Sequence, residues 1–152
     1  MRIVSLSENR AFEKRVAITP EIAKKYISSG FEVFLPSNYA SHLGFDDEKY
    51  KTEGVKILEN EKNIIKNSDL IVQLNLPSDD KLSEFRENQN LIGILNPYLN
   101  KEKLKILSKS KVNIFSLELL PRITRAQSMD ILSSQANLAG YKAVLESFAH
   151  FE

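Results

Sequence analysis

The 152-residue chain contains no cysteine, which excludes disulfide bonds, thiolate chemistry and zinc–sulfur sites. It also lacks a charge imbalance, since 21 basic residues stand against 20 acidic ones, so no strong field attracts nucleic acid or an anionic membrane. Its apolar runs are far shorter than the ~18 residues of a membrane span. Met1-Arg2 leads straight into a strand-like run and not into a signal peptide. We therefore expect a cytoplasmic protein without direct membrane insertion.

Glycine is scarce and scattered. The five glycines lie at least ten residues apart, at Gly30, Gly44, Gly54, Gly93 and Gly140. A G-x-G-x-x-G dinucleotide fingerprint or a phosphate-binding P-loop needs glycines much closer together. This chain therefore cannot be a complete NAD-dependent dehydrogenase of the usual kind.

Histidine is nearly absent as well. His42 lies in a loop between residues 38 and 45, and His150 lies at the end of the chain. A catalytic triad or a histidine metal site needs several such groups in fixed positions. We predict no metal site and no general acid or base among the side chains.

What the chain does contain is an alternation of short apolar runs and helical patterns, which is typical of α/β proteins. The near-continuous apolar character of the runs indicates strands covered on both faces. We predict a doubly wound, mainly parallel sheet with helices on both faces, Rossmann-like or flavodoxin-like in three layers, and a single domain over residues 1–152. The predicted strands are Ile3–Leu6, Phe31–Leu35, Val55–Leu58, Leu70–Leu74, Leu91–Leu95 and Val112–Leu117.

Helix signals lie between these strands. Thr19-Pro20 is an N-cap followed by proline at the first helical position, and Gly30 offers a C-terminal stop. Further helices are predicted at 60–66, after Ser78-Asp79-Asp80 with Leu82 and Phe85 inward, and after Asn100. Four prolines directly follow predicted strands, where they are expected to end the ladder: Pro36, Pro77, Pro97 and Pro121. The last helix carries Leu138, Tyr141, Leu145 and Phe148 at helical spacing, as core or as a domain-joining face.

The stretch 118–142 is the candidate site. It follows the last predicted strand, and ligands of open α/β sheets bind beyond the carboxyl ends of strands. Arg122 precedes Gln127, Asp130 and Ser133, which at intervals of three would drift slowly around one side of a helix. Such groups can hold a phosphate, a ribose hydroxyl and a carboxamide. The alternative interpretation is an ordinary loop and N-capped helix with solvated polar side chains.

Two stretches resemble a known family. The segment PRITRAQSMDILSSQANLAGYKA and the opening ENRAFEKRVAITP are similar to the NAD-binding component, the alpha subunit domain I, of proton-translocating NAD(P) transhydrogenase, of the alanine dehydrogenase/transhydrogenase family. The resemblance covers essentially the whole chain. In the family a second domain follows, which carries the glycine-rich NAD site, so the resemblance implies the N-terminal half of a two-domain subunit.

The resemblance further implies hydride transfer between NAD(H) and NADP(H), coupled to proton translocation across a membrane. NAD(H) would be bound by this subunit and NADP by a partner component. Arg122, Gln127, Asp130 and Ser133 match the loop that closes over the nicotinamide end of NAD(H). The expected partners are the NADP-binding and membrane components, with the subunit peripheral to the membrane, homodimeric in full, and this chain alone inactive.

Two other functions stay open at this point. An alanine dehydrogenase has a similar N-terminal half, and Arg15 could hold its substrate carboxylate. That family, however, uses a lysine and a histidine where this chain has Gln73-Leu74-Asn75 and Leu95-Asn96-Pro97, and a neutral amide cannot shuttle a proton. The third possibility is a stand-alone, non-catalytic binding module.

Overall fold

The structure, a computed structural model, describes residues 1–151. It confirms the predicted parallel sheet, with six strands in the order β3-β2-β1-β4-β5-β6. The strands are β1 (Arg2–Val4), β2 (Glu32–Pro36), β3 (Lys56–Leu58), β4 (Leu70–Val72), β5 (Asn90–Gly93) and β6 (Asn113–Ser116). This order puts β1 beside β4 at the centre, where the chain passes from one half of the sheet to the other.

Six α-helices accompany the strands. They are α1 (Pro20–Ser28), α2 (Asp47–Thr52), α3 (Glu61–Lys66), α4 (Asp79–Leu82), α5 (Lys101–Lys109) and α6 (Ile131–His150). The predicted start of α1 is confirmed, since the Thr19 hydroxyl accepts a hydrogen bond from the Ile22 amide at 3.4 Å. Gly30 follows the helix at φ 85°, a left-handed conformation that glycine adopts without strain.

Two hydrophobic cores cover the two faces of the sheet. Successive strand residues point to opposite faces, so Ile3 belongs to one core and Val4 to the other, each almost fully buried. The first core also takes side chains from α1 and α2, and the second from α3 and α5. Helices on both faces explain why the strand runs are apolar throughout.

Three strands end two residues earlier than predicted, because Leu6, Leu74 and Leu95 lie beyond the ladder. Leu6 and Leu95 are nevertheless fully buried. An apolar run therefore reports burial, which continues into the loops, and not the length of strand pairing.

Local chemistry explains three further differences. Pro36 is the last residue of β2 and not the residue after it, because the next amide that bonds to β3 is that of Ser37, donating to the Leu58 carbonyl at 3.1 Å. The helix α4 ends at Leu82, and Phe85 is buried beyond it. The Asn100 side chain does not cap α5 but donates to the Leu95 carbonyl at 2.8 Å.

The chain divides into two compact units, one of residues 1–116 and one that begins at Leu117. In the second unit only Ala126 is buried among residues 117–151. The apolar side chains of α6 that were predicted as core or joining face are exposed, so they form no core within the described portion of the chain. None of the helices in residues 1–151 is long and apolar enough to span a membrane. The domain organisation proposed for residues 1–152 stays a prediction.

Candidate functional site

The predicted site segment forms two short 3-10 helices, Leu117–Leu119 and Thr124–Met129, before α6 begins. Asp130 separates the second 3-10 helix from α6 with a non-helical backbone, φ −75° and ψ 92°. Its Oδ1 accepts hydrogen bonds from the amides of Leu132 and Ser133, both at 3.0 Å. The single-helix spacing predicted for Gln127, Asp130 and Ser133 is therefore wrong, because the capping carboxylate starts a new helix at Ile131.

The structure nevertheless brings all four predicted side chains to one place. A cavity of about 340 Å³ lies within the second unit. Its lining consists of Pro121, Arg122, Ile123, Thr124, Ala126, Gln127, Asp130 and Ser133. We call it the nicotinamide pocket after the ligand that the resemblance implies, and its role as a binding site stays a prediction.

Asp130 is the best-connected residue of the pocket. Besides capping α6, it accepts a hydrogen bond from the Ser133 hydroxyl, with 2.6 Å between Oγ and Oδ2. That hydroxyl, followed by the Ser133 amide, holds the pKa of Asp130 below its usual value, and the charge of Arg122 contributes in the same direction. The carboxylate is therefore ionised at neutral pH.

Arg122 and Gln127 are the least committed residues of the pocket. Neither side chain forms a hydrogen bond or an ion pair with any residue that the structure describes. Arg122 is close enough to Asp130 to lower its pKa, yet its donors are not taken up by that carboxylate. A guanidinium and a primary amide with open hydrogen-bonding capacity are suited to an anionic or amide-bearing ligand.

A second cavity, of about 510 Å³, lies in the first unit and was missed by sequence reasoning. We call it the switch-point crevice. Its lining comes from the segments that follow β1 and β4: Ser7, Glu8, Asn9, Phe12, Glu13, Gln73, Asn75, Leu76, Pro77, Ser78 and Lys81. Open α/β sheets bind ligands where the strand order reverses, and β1 and β4 are the strands at that point. The local sequence contains the polar residues but not the strand order that makes them neighbours.

Two side chains tie the loops of the crevice together. The buried Gln73 accepts a hydrogen bond from the Leu6 amide at 2.9 Å and donates to the Leu6 carbonyl at 3.1 Å. In the opposite direction, Glu8 accepts from the amides of Leu74 at 2.8 Å and Asn75 at 3.2 Å. Gln73 therefore holds the end of β1, and its amide is used in structure.

The charged groups around the crevice are also paired within the protein. The Arg15 guanidinium donates to Glu13 from Nε at 2.9 Å and from Nη2 at 2.7 Å. This bond with Arg15 lowers the pKa of Glu13. Lys81 lies 2.5 Å from Glu61. Burial raises the pKa of Glu61, but the bonds from Lys81 and the Ser7 amide outweigh it, so its pKa is below the usual value.

The two histidines take no part in either cavity. The His42 ring contacts the Lys14 carbonyl at 2.7 Å from an exposed position. His150 lies on α6 near Glu146, at 3.4 Å. Among residues 1–151, no group of three or more His, Asp or Glu side chains is arranged to hold a metal ion.

Residues 5–139 match the protein family described as alanine dehydrogenase/PNT, N-terminal domain. The chain belongs to this family. The match includes the switch-point crevice and all four predicted residues of the nicotinamide pocket. The resemblance seen in the sequence is thereby confirmed.

Relatives in this family include transhydrogenases and alanine dehydrogenases. The chain is 41% identical over 155 residues to the first portion of NAD(P) transhydrogenase subunit alpha of Rickettsia prowazekii, a match that covers 99% of this chain and 40% of the relative. It is 26% identical over 145 residues to alanine dehydrogenase 1 of Staphylococcus aureus, covering 95% of this chain and 38% of the relative. The crystal structure of transhydrogenase from Sinorhizobium meliloti superimposes with a TM-score of 0.87 at 35% identity, over 98% of this chain and 45% of that one. The chain thus spans about 40% of the length of these curated relatives.

Proposed function

We propose that this chain serves as the N-terminal portion of the NAD-binding subunit of an NAD(P) transhydrogenase. The subunit transfers hydride between NAD(H) and NADP(H), coupled to proton translocation across a membrane. One observation carries the proposal: Arg122, Gln127, Asp130 and Ser133 line a single cavity, and two of them retain open hydrogen-bonding capacity. Support also comes from the transhydrogenase relatives, which are more similar to the chain than the alanine dehydrogenase compared above.

The chemistry of the pocket fits the nicotinamide end of NAD(H). A carboxamide needs both an acceptor and a donor, and Gln127 and Ser133 provide both types. The guanidinium of Arg122 suits the negative charge of a dinucleotide. When bound, the nicotinamide ring supplies the hydride chemistry. The residues of this chain bind and orient the ring and exclude water, which brings the reacting carbons to within roughly 3–3.5 Å.

Alanine dehydrogenase activity receives less support from the structure. Gln73, at the place of that family's lysine, is a neutral amide bonded to the backbone of Leu6. Arg15, which would hold a substrate carboxylate, is bonded to Glu13 at two positions. A crevice built from paired charges and neutral amides has no group that can exchange a proton with an amino acid.

The proposal includes partners. NADP(H) would be bound by a separate component, and a membrane component would carry the proton. The subunit would then be peripheral to the membrane and homodimeric in its full form. Because this chain contains no glycine-rich loop at a helix N-terminus, the pyrophosphate of NAD(H) would be held by another domain.

The test is a titration of NADH against the complete subunit carrying Arg122→Ala. Loss of a charge-assisted hydrogen bond worth about 1.5–3 kcal/mol corresponds to roughly 10–150-fold weaker binding. Arg125→Ala is the matched control, because Arg125 is an exposed arginine of the same 3-10 helix that does not line the pocket. Its NADH affinity should stay within about twofold of the unchanged subunit. Equal effects of the two substitutions, or no effect of either, would refute the proposed role of the pocket.

A further inference from the structure

Ser133 differs from the other serines of α6 in where its hydroxyl proton points. Ser134 donates to the Ile131 carbonyl at 3.0 Å, and Ser147 donates to the Ala143 carbonyl at 2.8 Å. Such bonds to the preceding turn are common for serine in helices. Ser133 instead donates to Asp130 Oδ2 at 2.6 Å. Its hydroxyl is therefore oriented by a side chain that itself lines the nicotinamide pocket.

This bond determines which hydrogen-bonding group Ser133 can offer to a ligand. A hydroxyl has one proton and two lone pairs, and an ionised carboxylate can only accept. The short Asp130–Ser133 bond consequently commits the only proton of Ser133 Oγ. What remains available toward the pocket is the acceptor capacity of that oxygen.

Asp130 cannot readily release the proton by turning away. Its Oδ1 accepts from the amides of Leu132 and Ser133 at 3.0 Å each, which fixes the carboxylate at the start of α6. The same carboxylate therefore caps the helix and orients the hydroxyl. Gln127, without a side-chain hydrogen bond to any described residue, is left to meet an acceptor on the ligand.

We propose that Ser133 accepts a hydrogen bond from the amide N–H₂ of the nicotinamide carboxamide, and that Asp130 is the positioning residue that makes Ser133 an acceptor. This inference rests on the proposed function. It makes the pocket selective for a ring substituent that donates, so a ring carrying a methyl ketone in place of the carboxamide binds less well. The 3-acetylpyridine analogue of NADH is such a molecule, with the same ribose and phosphates but no amide proton.

The decisive variant is Asp130→Asn in the complete subunit. Asparagine is as good an N-cap as aspartate, so its Oδ1 can still accept from Leu132 and Ser133. Its Nδ2, however, donates to Ser133 Oγ, which releases the serine proton toward the pocket. The dissociation constants of NADH and of its 3-acetylpyridine analogue are measured for each protein. Their ratio cancels the change in charge, because both ligands are reduced and carry the same phosphates.

The unchanged subunit should bind NADH about tenfold more tightly than the analogue, the effect of one hydrogen bond near 1.4 kcal/mol. In Asp130→Asn the ratio should fall to about one or invert. Ser133→Ala should bring the ratio to about one without inversion. Ser134→Ala, which alters the neighbouring serine outside the pocket, should keep the ratio of the unchanged subunit.

Two results would overturn the inference. Equal binding of both nucleotides by the unchanged subunit would mean that Ser133 meets another donor, such as a ribose hydroxyl. A tenfold preference that persists in Asp130→Asn would mean that Asp130 does not set the direction of the bond. Either result leaves the comparison of Arg122→Ala with Arg125→Ala intact, so failure of this inference is distinguishable from failure of the proposed function.

Discussion

The two units of this chain differ in what their side chains do. In residues 1–116 two hydrophobic cores lie on the faces of a six-stranded sheet, and buried polar groups such as Ser5 and Gln73 are hydrogen-bonded. In the described residues from 117 onward only Ala126 is buried, and α6 exposes large apolar side chains such as Tyr141 and Phe148, 69% and 78% exposed. The first unit therefore has its own source of stability. The second has the candidate site without a core to support it.

This contrast indicates a division of labour between scaffold and site. A helix that exposes so much apolar surface is typically covered by other protein. Binding residues are often placed on segments of low local stability because such segments can move onto a ligand. The following predictions test the contrast, from the largest expected effect to the smallest.

The same kind of truncation should have opposite consequences in the two units. Ile71 is fully buried in the sheet, and Ile71→Ala should lower the free energy of unfolding by about 2–5 kcal/mol. Leu145 on α6 is 48% exposed, and Leu145→Ala should change it by less than about 0.5 kcal/mol. Urea unfolding of this chain, followed by circular dichroism, measures both. A loss above about 2 kcal/mol for Leu145→Ala would show that α6 is packed after all.

Gly93 tests how closely the first unit is packed. A Cβ at this position would lie 2.3 Å from the Gln73 carbonyl oxygen, which is part of the backbone and cannot move aside alone. Gly93→Ala should therefore destabilise the chain by about 3 kcal/mol, in the range of overpacked cores. The midpoint of urea unfolding should fall accordingly. A midpoint equal to that of the unchanged chain would mean that β4 and β5 separate without cost.

Alkaline pH should unfold the first unit through its buried tyrosines. Burial raises the pKa of Tyr39 to about 12, while hydrogen bonds from Ser5 and neighbouring amides oppose the rise. Because the folded pKa exceeds the unfolded value of about 10, stability is complete below pH 10 and is lost as the pH rises toward 12. The loss should be roughly 2–3 kcal/mol. Unfolding measured at pH 9 and pH 11.5 checks this, and Tyr39→Phe should reduce the difference between the two values.

Gly140 provides the smallest test and the counterpart to Gly93. It lies in the middle of α6, where a Cβ would meet no atom within 4 Å. Gly140→Ala should stabilise the helix by about 1 kcal/mol, the difference in helix propensity between the two residues. Helical circular dichroism during heating of this chain should show the gain. If the same substitution weakens the complete subunit, the partner that covers α6 approaches the backbone at this glycine.

Much of the scaffold was predictable from local patterns. All six strands coincide with apolar runs, and the Thr19-Pro20 start and Gly30 end of α1 are confirmed. The strand ends were less well predicted because apolar residues such as Leu6 stay buried after strand pairing stops. In those loops side chains replace the backbone as hydrogen-bonding partners, as Gln73 does for Leu6.

The candidate site was predictable in its residues but not in its arrangement. The four pocket residues were identified from their chemistry and from the resemblance to transhydrogenase. Their expected placement on one helix was wrong because Asp130 caps α6 and interrupts the helical path. The switch-point crevice was not predicted, since its two halves are more than 60 residues apart in the chain, as the Glu8 and Leu74 contact illustrates.

The amino-acid sequence by itself determined the α/β class, the strand positions and the absence of a glycine-rich dinucleotide loop. These follow from hydrophobic periodicity and residue spacing, which are local properties. Only the tertiary structure decided that β1 and β4 adjoin, that Glu8 and Gln73 bond to each other's loops, and that Asp130 commits the proton of Ser133. Strand order and hydrogen-bond direction depend on which groups meet in space, and no local pattern in the chain contains that information.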